Sequence, residues 1–285
     1  MIVVLEPGPL ATVQDAGRHG YAHLGVPTAG PLDGPAARLG NRLVGNREDA
    51  AVAESLLGGL TVELREGRWV AVTGAPVEVS LDDRPAAHSA AFWAPSGAQV
   101  RLGRVARGMR CYLAVGGGIA VDPVLGSRST DTLAWVGPPA LATGAELPLG
   151  PAPERPAAAD VPARRRTGSL RVHPGPQAAW FDSPRALYDE EWSVSEHSNR
   201  VGLRLRGTAL ARPGRELPSQ GMVTGAIQVP ADGQPVVFLA DHPPTGGYPV
   251  IGVVDPADLW QCAQVRPGET LRFTPAPTQA PASSG

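Results

Sequence analysis

Short, valine-rich runs that stop at glycine or proline recur along almost the whole chain, and this rhythm limits the possible folds more than any other feature. "MIVVLEP", "LTVELRE", "RWVAVTG", "PVEVSLDD", "AQVRLGR" and "RCYLAVGGG" occupy the first part of the sequence; "SLRVHPG", "WSVSEHSNRVGLRLRG", "AIQVP", "PVVFLADH", "YPVIGVV" and "ETLRF" occupy the last. Alternating apolar and polar positions suit half-buried antiparallel strands, and 35 glycines with 31 prolines supply the turns between them. A mainly β chain is predicted, with two β-barrel domains and a few short helices, since closing each sheet into a barrel hides its edges. At 285 residues the chain can bury roughly three quarters of its unfolded surface, enough for two such cores.

The predicted domains span 1–149 and 169–274. Between them, "GPAPERPAAADVPARRRTG" (150–168) lacks periodicity and reads as a linker, and the tail 275–285 reads as disordered. "DGPAARLGNRLVGN" (33–46) is the clearest helix: Asp33 caps its start, Gly45 ends it, and Ala36, Ala37, Leu39, Leu43 and Val44 share a face.

The formal charge of −2 leaves no basic stripe for nucleic acid. No apolar run has the length of a membrane span and the start lacks a basic leader, so a soluble cytoplasmic protein is expected. Cys111 and Cys262 sit in strand-like runs and read as buried, inert thiols. Every one of the 25 basic residues is arginine. Without lysine, a Walker phosphate loop, a Schiff base and a biotinylated carrier site are all chemically impossible in this chain.

Four loops carry candidate chemistry. "VQDAGRHGYAHLGVPTAGPLD" (13–33) holds Asp15, Arg18, His19, His23 and Asp33 among glycines, where an arginine fork can take a carboxylate; Gly20 argues against a helical His19–His23 metal pair, and no metal site is expected. "YLAVGGGIAVDPVLGSRSTDT" (112–132) runs a strand into Gly116, Gly117 and Gly118, then Ser127, Arg128, Ser129 and Thr130, a set of backbone and side-chain donors suited to an anion. "WSVSEHSNRVGLRL" (192–205) places Ser195, Glu196 and His197 side by side, but neighbours on a strand face opposite ways, and no G-x-S-x-G elbow exists. "LPSQGMVTGAIQVP" (217–230) and "ADHPPTGGYPVIG" (240–252) bring Ser219, Gln228, Asp241, Thr245, Gly246, Gly247 and Tyr248, polar groups suited to a barrel rim.

In this order, with "NRLVGN" and "TGGYP", these motifs resemble the biotin-dependent carboxyltransferase-like family, from about residue 3 to residue 273. That family includes the C component of the bacterial ATP-dependent 5-oxoprolinase, the Kip-antagonist proteins (KipA), chains labelled allophanate hydrolase subunit 2, and the corresponding part of urea carboxylase. The resemblance implies two cyclophilin-like β-barrel domains. It also implies two further 5-oxoprolinase components as partners, one KipI-like (B) and one LamB/YcsF-like (A), with ATP and Mg²⁺ in the complex and no covalently bound biotin in this chain. The implied reaction is ATP-dependent opening of the 5-oxoproline lactam to glutamate; carboxyl transfer to urea or another amide, and non-catalytic antagonism of a kinase inhibitor, are the alternatives. For lactam opening, residue chemistry assigns Arg18 or Arg128 to a substrate carboxylate and the glycine turns to N–H donation, with Asp15, Asp33 or Asp241 orienting water or a metal-bound nucleotide. Ser127, Ser129, Thr130, Ser219, Gln228, Thr245 and Tyr248 are substrate-binding candidates. Two departures stand out: many relatives read D-R-Q-T-T-G-G-Y where this chain has "DHPPTGGY", and Asn199 replaces the commoner aspartate of S-D-R.

Overall fold

The computed structural model describes residues 1–153, 156, 159–162, 165–212, 214 and 217–277. Parts of the predicted linker and the tail beyond residue 277 lie outside the described residues. The chain is mainly β, as its strand rhythm requires.

Two sheets stack over one core in the N-terminal half. One sheet orders its strands as Glu146–Leu147, Ile2–Pro7, Leu60–Leu64, Gln99–Leu102, Val79–Leu81 and Arg84–Ala86; the other as Leu10–Gln14, Val52–Leu56, Arg110–Val115, Arg68–Gly74 and Ala91–Ala94. Their inner faces meet through Ile2, Val4, Val62 and Val100 on one side and Val13, Ala53, Val72 and Leu113 on the other. Arg110–Val115 is buried at every position because the helix Gly34–Leu43 covers its outer face, packing Ala36, Ala37, Leu39 and Leu43 onto Ala71, Tyr112 and Ala114. Two covered faces explain why "RCYLAV" reads as a continuous run instead of an alternating one. The helix starts where Asp33 Oδ1 accepts the Ala36 N–H at 3.0 Å, and it lies close because Gly40 faces Ala114 and Thr73.

The C-terminal half is a closed barrel of seven strands: Ser169–Pro174, Val250–Val254, Ala226–Gln228, Val236–Phe238, Gly202–Arg206, Glu191–Val194 and Thr270–Pro275. Its first and last strands pair in parallel, Ser169 opposite Arg272, which leaves neither edge free. Leu170, Trp192, Leu205, Ile227, Val237, Ile251 and Phe273 fill the interior. Closure is thus complete in the second half, while the first protects its core by stacking open sheets. The segment "LPSQGMVTGAIQVP" contributes the barrel strand Ala226–Gln228 and a two-residue strand, Gln220–Gly221, paired with Thr245–Gly246 outside the barrel.

Both cysteines are free and buried, one in each half, and burial pushes each thiol up to about 12. At pH 8 a thiol reagent such as Ellman's should leave the native chain unmodified and titrate both thiols in guanidinium. Rapid native modification would contradict the packing of both sites.

Candidate functional site

One carboxylate organises the loops that follow the first strands. Asp15 Oδ1 accepts the Ser127 hydroxyl (2.5 Å), the Ser129 hydroxyl (2.7 Å) and the Gly17 N–H (3.0 Å), and Oδ2 accepts the Arg128 N–H (2.6 Å). Behind it lies Arg18, only 1% exposed, whose Nε donates to the Val124 carbonyl and Nη2 to the Ser129 carbonyl. Burial lowers the Arg18 pKa; the nearby Asp131, Asp15 and Asp241 charges oppose the shift. Neither Arg18 Nη1 nor Thr130 Oγ1 has a hydrogen-bond partner among the described residues.

This knot forms one wall of a cleft of about 500 Å³, lined by Asp15, Gly17, Asn46, Arg47, Gly117 and Arg128 among others. Arg128 is held through Nε on the Val121 carbonyl at 2.7 Å, and among the described residues nothing accepts from its two Nη groups. Arg47 is paired with Asp49 at 2.8 Å. Arg128 is therefore the cation best placed to take an anionic ligand here.

Several expectations need correction. The glycine turn offers no donors: Gly116 N–H goes to the Trp69 carbonyl, Gly117 N–H to Asn46 Oδ1 and Gly118 N–H to the Val115 carbonyl. Gly117 is required for packing, because at φ +96° any side chain would run into the Gly150 carbonyl. Ser127, Ser129 and Thr130 are fully buried and support the cleft from beneath instead of facing a ligand. Of the rim candidates, Ser219, Thr245, Gly247 and Tyr248 are exposed, whereas Gln228 is buried and donates to the Tyr248 carbonyl at 3.1 Å. Gly246 pairs with Gln220, and none of the rim residues lines the Arg128 cleft. His19 and His23 hydrogen-bond to the Ala16 and Gly20 carbonyls, with His23 on the single-turn 3₁₀ helix Ala22–Leu24.

The two halves meet through buried charge. Arg200 grips both oxygens of Asp241 at 2.9 Å, donates to the Gly30 carbonyl at 2.7 Å and pairs with Glu54 across the junction. Asp241 also accepts the Thr132 N–H and hydroxyl; Glu54 also accepts the Leu32 N–H at 3.0 Å and the Tyr112 hydroxyl at 2.8 Å, with Arg110 at 3.4 Å. Burial pushes the Glu54 carboxyl up, but Arg200 and Arg110 outweigh it and hold the group below its ordinary range. Asp131 is shifted the other way, raised by burial against the Leu133 and Ala134 N–H groups that favour its charge. Gln264 adds a neutral tie, accepting from the Arg110 N–H and donating to Asp33 Oδ2 at 2.9 Å. Asp15, Asp33 and Asp241 thus all accept from protein donors in this arrangement.

Glu54, Arg110, Asp131 and Arg200 escaped sequence reasoning. The available signal was a charge inside an apolar run, as in "AVAESLL" and "MRCYLAV", because such a residue is buried only when paired. The two family departures are absorbed locally. Asn199 Oδ1 accepts the Val201 and Gly202 N–H groups, a turn role that needs only a carbonyl oxygen, and Pro243 and Pro244 supply carbonyls to the His242 ring and the Met222 N–H.

Over residues 24–275 the chain matches the carboxyltransferase domain family, subdomains A and B. It is 40% identical to the C component of 5-oxoprolinase from Escherichia coli, covering 96% of this chain and 90% of that protein. It is 33% identical to urea amidolyase of Lachancea kluyveri, covering 95% of this chain but 17% of that protein. Among solved structures, TTHA0988 superposes with a TM-score of 0.87 at 38% identity (96% of this chain, 55% of that one), and Kluyveromyces lactis urea amidolyase with 0.89 at 31% (96% and 18%). The chain belongs to the carboxyltransferase A and B domain family.

Glu54→Gln should cost about 3–5 kcal/mol in urea unfolding at pH 7, because it leaves Arg200 and Arg110 buried without their shared counter-charge. The native Glu54 pKa lies below its unfolded value of about 4.3, so its contribution is complete above about pH 5 and is lost as pH falls through the folded pKa. Stability of the variant should therefore change less than that of the parent chain between about pH 5 and pH 3. Parallel pH profiles for the two proteins would refute the assignment.

Proposed function

We propose that this member of the carboxyltransferase family is the C component of an ATP-dependent 5-oxoprolinase, catalysing lactam opening to glutamate only together with the A and B components. The observation that carries the reading is the end-to-end likeness to the 5-oxoprolinase C proteins, at 40% identity in that of Escherichia coli and 34% in that of Haemophilus influenzae. The urea amidolyases are less similar, at 33% and 31%.

A lactam carbonyl is a weak electrophile, and 5-oxoproline carries a carboxylate beside the ring. ATP, when bound to the assembly, would supply the phosphoryl group that makes the lactam oxygen a leaving group. This chain's part is to bind and orient. Arg128 in the cleft has the free fork that a carboxylate takes in bidentate fashion, and the Asp15–Ser127–Ser129 knot fixes the loop that carries it. Because the chain has no lysine, arginine must provide any cation that it offers to substrate or phosphate oxygens.

A second reading, carboxyl transfer from carboxybiotin to an amide, draws support from the family match and from the close superposition on urea carboxylase, TM-score 0.88. With no lysine to carry biotin, it demands a separate carrier protein and a biotin carboxylase.

The deciding assay is glutamate release from 5-oxoproline by this chain co-expressed with its KipI-like and LamB/YcsF-like partners, with each component omitted in turn. ATP-dependent release that is lost without this chain is expected; no release from an intact complex would reject the lactam reading in favour of carboxyl transfer or regulation. Within an active complex, Arg128→Ala should raise KM for 5-oxoproline by about 10- to 100-fold, the equivalent of one charged hydrogen-bond pair. An unchanged KM would remove Arg128 from substrate binding.

A further inference from the structure

A second cavity, of about 700 Å³, lies where the helix Gly34–Leu43, the loop around Arg107, the segment leading into the barrel and the turn Trp260–Gln264 converge. Five guanidinium groups line it: Arg38, Arg42, Arg107, Arg165 and Arg166. Such a concentration is no average property, because the chain as a whole has a formal charge of −2.

Nearby carboxylates, Asp33, Glu48 and Glu269, are fewer than the guanidinium groups. Arg38 and Arg42 stand one helical turn apart and share a single partner, Glu48, at 3.8 and 2.8 Å; Arg166 pairs with Glu269 at 2.6 Å. Asp33 is used as the helix cap and as the acceptor for Gln264. Among the described residues no carboxylate comes within ion-pair distance of Arg107 or Arg165. His88 also lines the cavity, and burial lowers its pKa. Like charges gathered around a concavity repel one another, and the repulsion is relieved by a ligand carrying at least two negative charges.

The remaining walls define the shape of that ligand. Leu39, Ala75 and Pro76 also line the cavity, and its volume falls within the range of about 300–1,000 Å³ usual for small-molecule sites. Its concave form excludes a duplex, which needs an extended basic face. We infer that this junction cavity binds a small oligophosphate, with the Arg38–Arg42–Arg107 cluster holding the phosphates. Guanidinium forks match phosphate oxygens two at a time, so the absence of lysine is no obstacle.

The test uses the full chain at low salt without partners, titrated with inorganic tripolyphosphate or ATP and followed by calorimetry and tryptophan fluorescence. Saturable one-to-one binding of both is expected. Arg107→Gln and Arg42→Gln should each weaken it at least tenfold with unchanged thermal stability, and Arg185→Gln, exposed and outside the cavity lining, should have no effect. The inference is overturned if neither probe saturates, or if both cluster variants bind like the parent chain. Because no partner or lactam is present, failure here leaves the oxoprolinase reading standing, and failure of glutamate release leaves this site standing.

Discussion

Arg200 is the interaction on which the two halves depend. A guanidinium at 3% exposure has left water almost entirely, a transfer that costs several kcal/mol unless charge and geometry compensate. Compensation comes from both sides of the junction: Asp241 from the barrel, Glu54 and the Gly30 carbonyl from the stacked sheets. Separating the halves would expose or orphan every one of these groups, so their relative position is fixed by the requirement that no buried charge stand alone. An apolar interface of similar area would tolerate sliding; this one has a register set by atom pairs.

That register extends into the loops. Ala29, Leu125 and Trp135 adopt positive φ values of 57°, 51° and 56°, conformations that cost a residue with a side chain about 1–3 kcal/mol where the surroundings do not enforce them. Here the surroundings do. The Ala29 N–H donates to the Ala240 carbonyl across the junction, Arg18 holds the Val124 carbonyl beside Leu125, and Asp131 takes the Leu133 and Ala134 N–H groups just before Trp135. Each of these irregular turns is thus held by a hydrogen bond at or beside it, two of them through the buried side chains of Arg18 and Asp131. Loops of this kind can position a ligand as firmly as a helix or strand does.

Much of the fold was legible because strands announce themselves locally. "RWVAVTG" and "SLRVHPG" correspond to Arg68–Gly74 and Ser169–Pro174, and Asp33 caps the helix that its sequence proposed. The candidate loops were legible as loops, and the structure does gather Asp15, Arg128 and Gly117 at one cleft. Their internal roles were hidden, since a hydroxyl or a glycine amide looks the same in sequence whether it faces a ligand or a neighbouring carbonyl. Ser127 and Ser129 satisfy Asp15, more than 100 positions earlier, and the Gly117 amide is taken by Asn46. The junction network was beyond reach for the same reason, as Glu54 and Arg200 are separated by 146 positions and only the folded chain reveals that each is the other's counter-charge.

The all-arginine composition links the junction to both cavities. At the junction, one side chain makes a bidentate contact with Asp241 while also reaching Glu54 and a backbone carbonyl, which requires several donors in a fixed plane. A lysine ammonium, a compact and strongly hydrated point charge, could not span three partners in that geometry and would lose more hydration on burial. The same planar fork is present half-buried at Arg128 and exposed at Arg107, where no carboxylate among the described residues fills it. What distinguishes these arginines from one another is thus not their chemistry but whether the fold has already supplied a matching anion. At Arg200 it has supplied two; at Arg128 and Arg107 it has supplied none among the described residues.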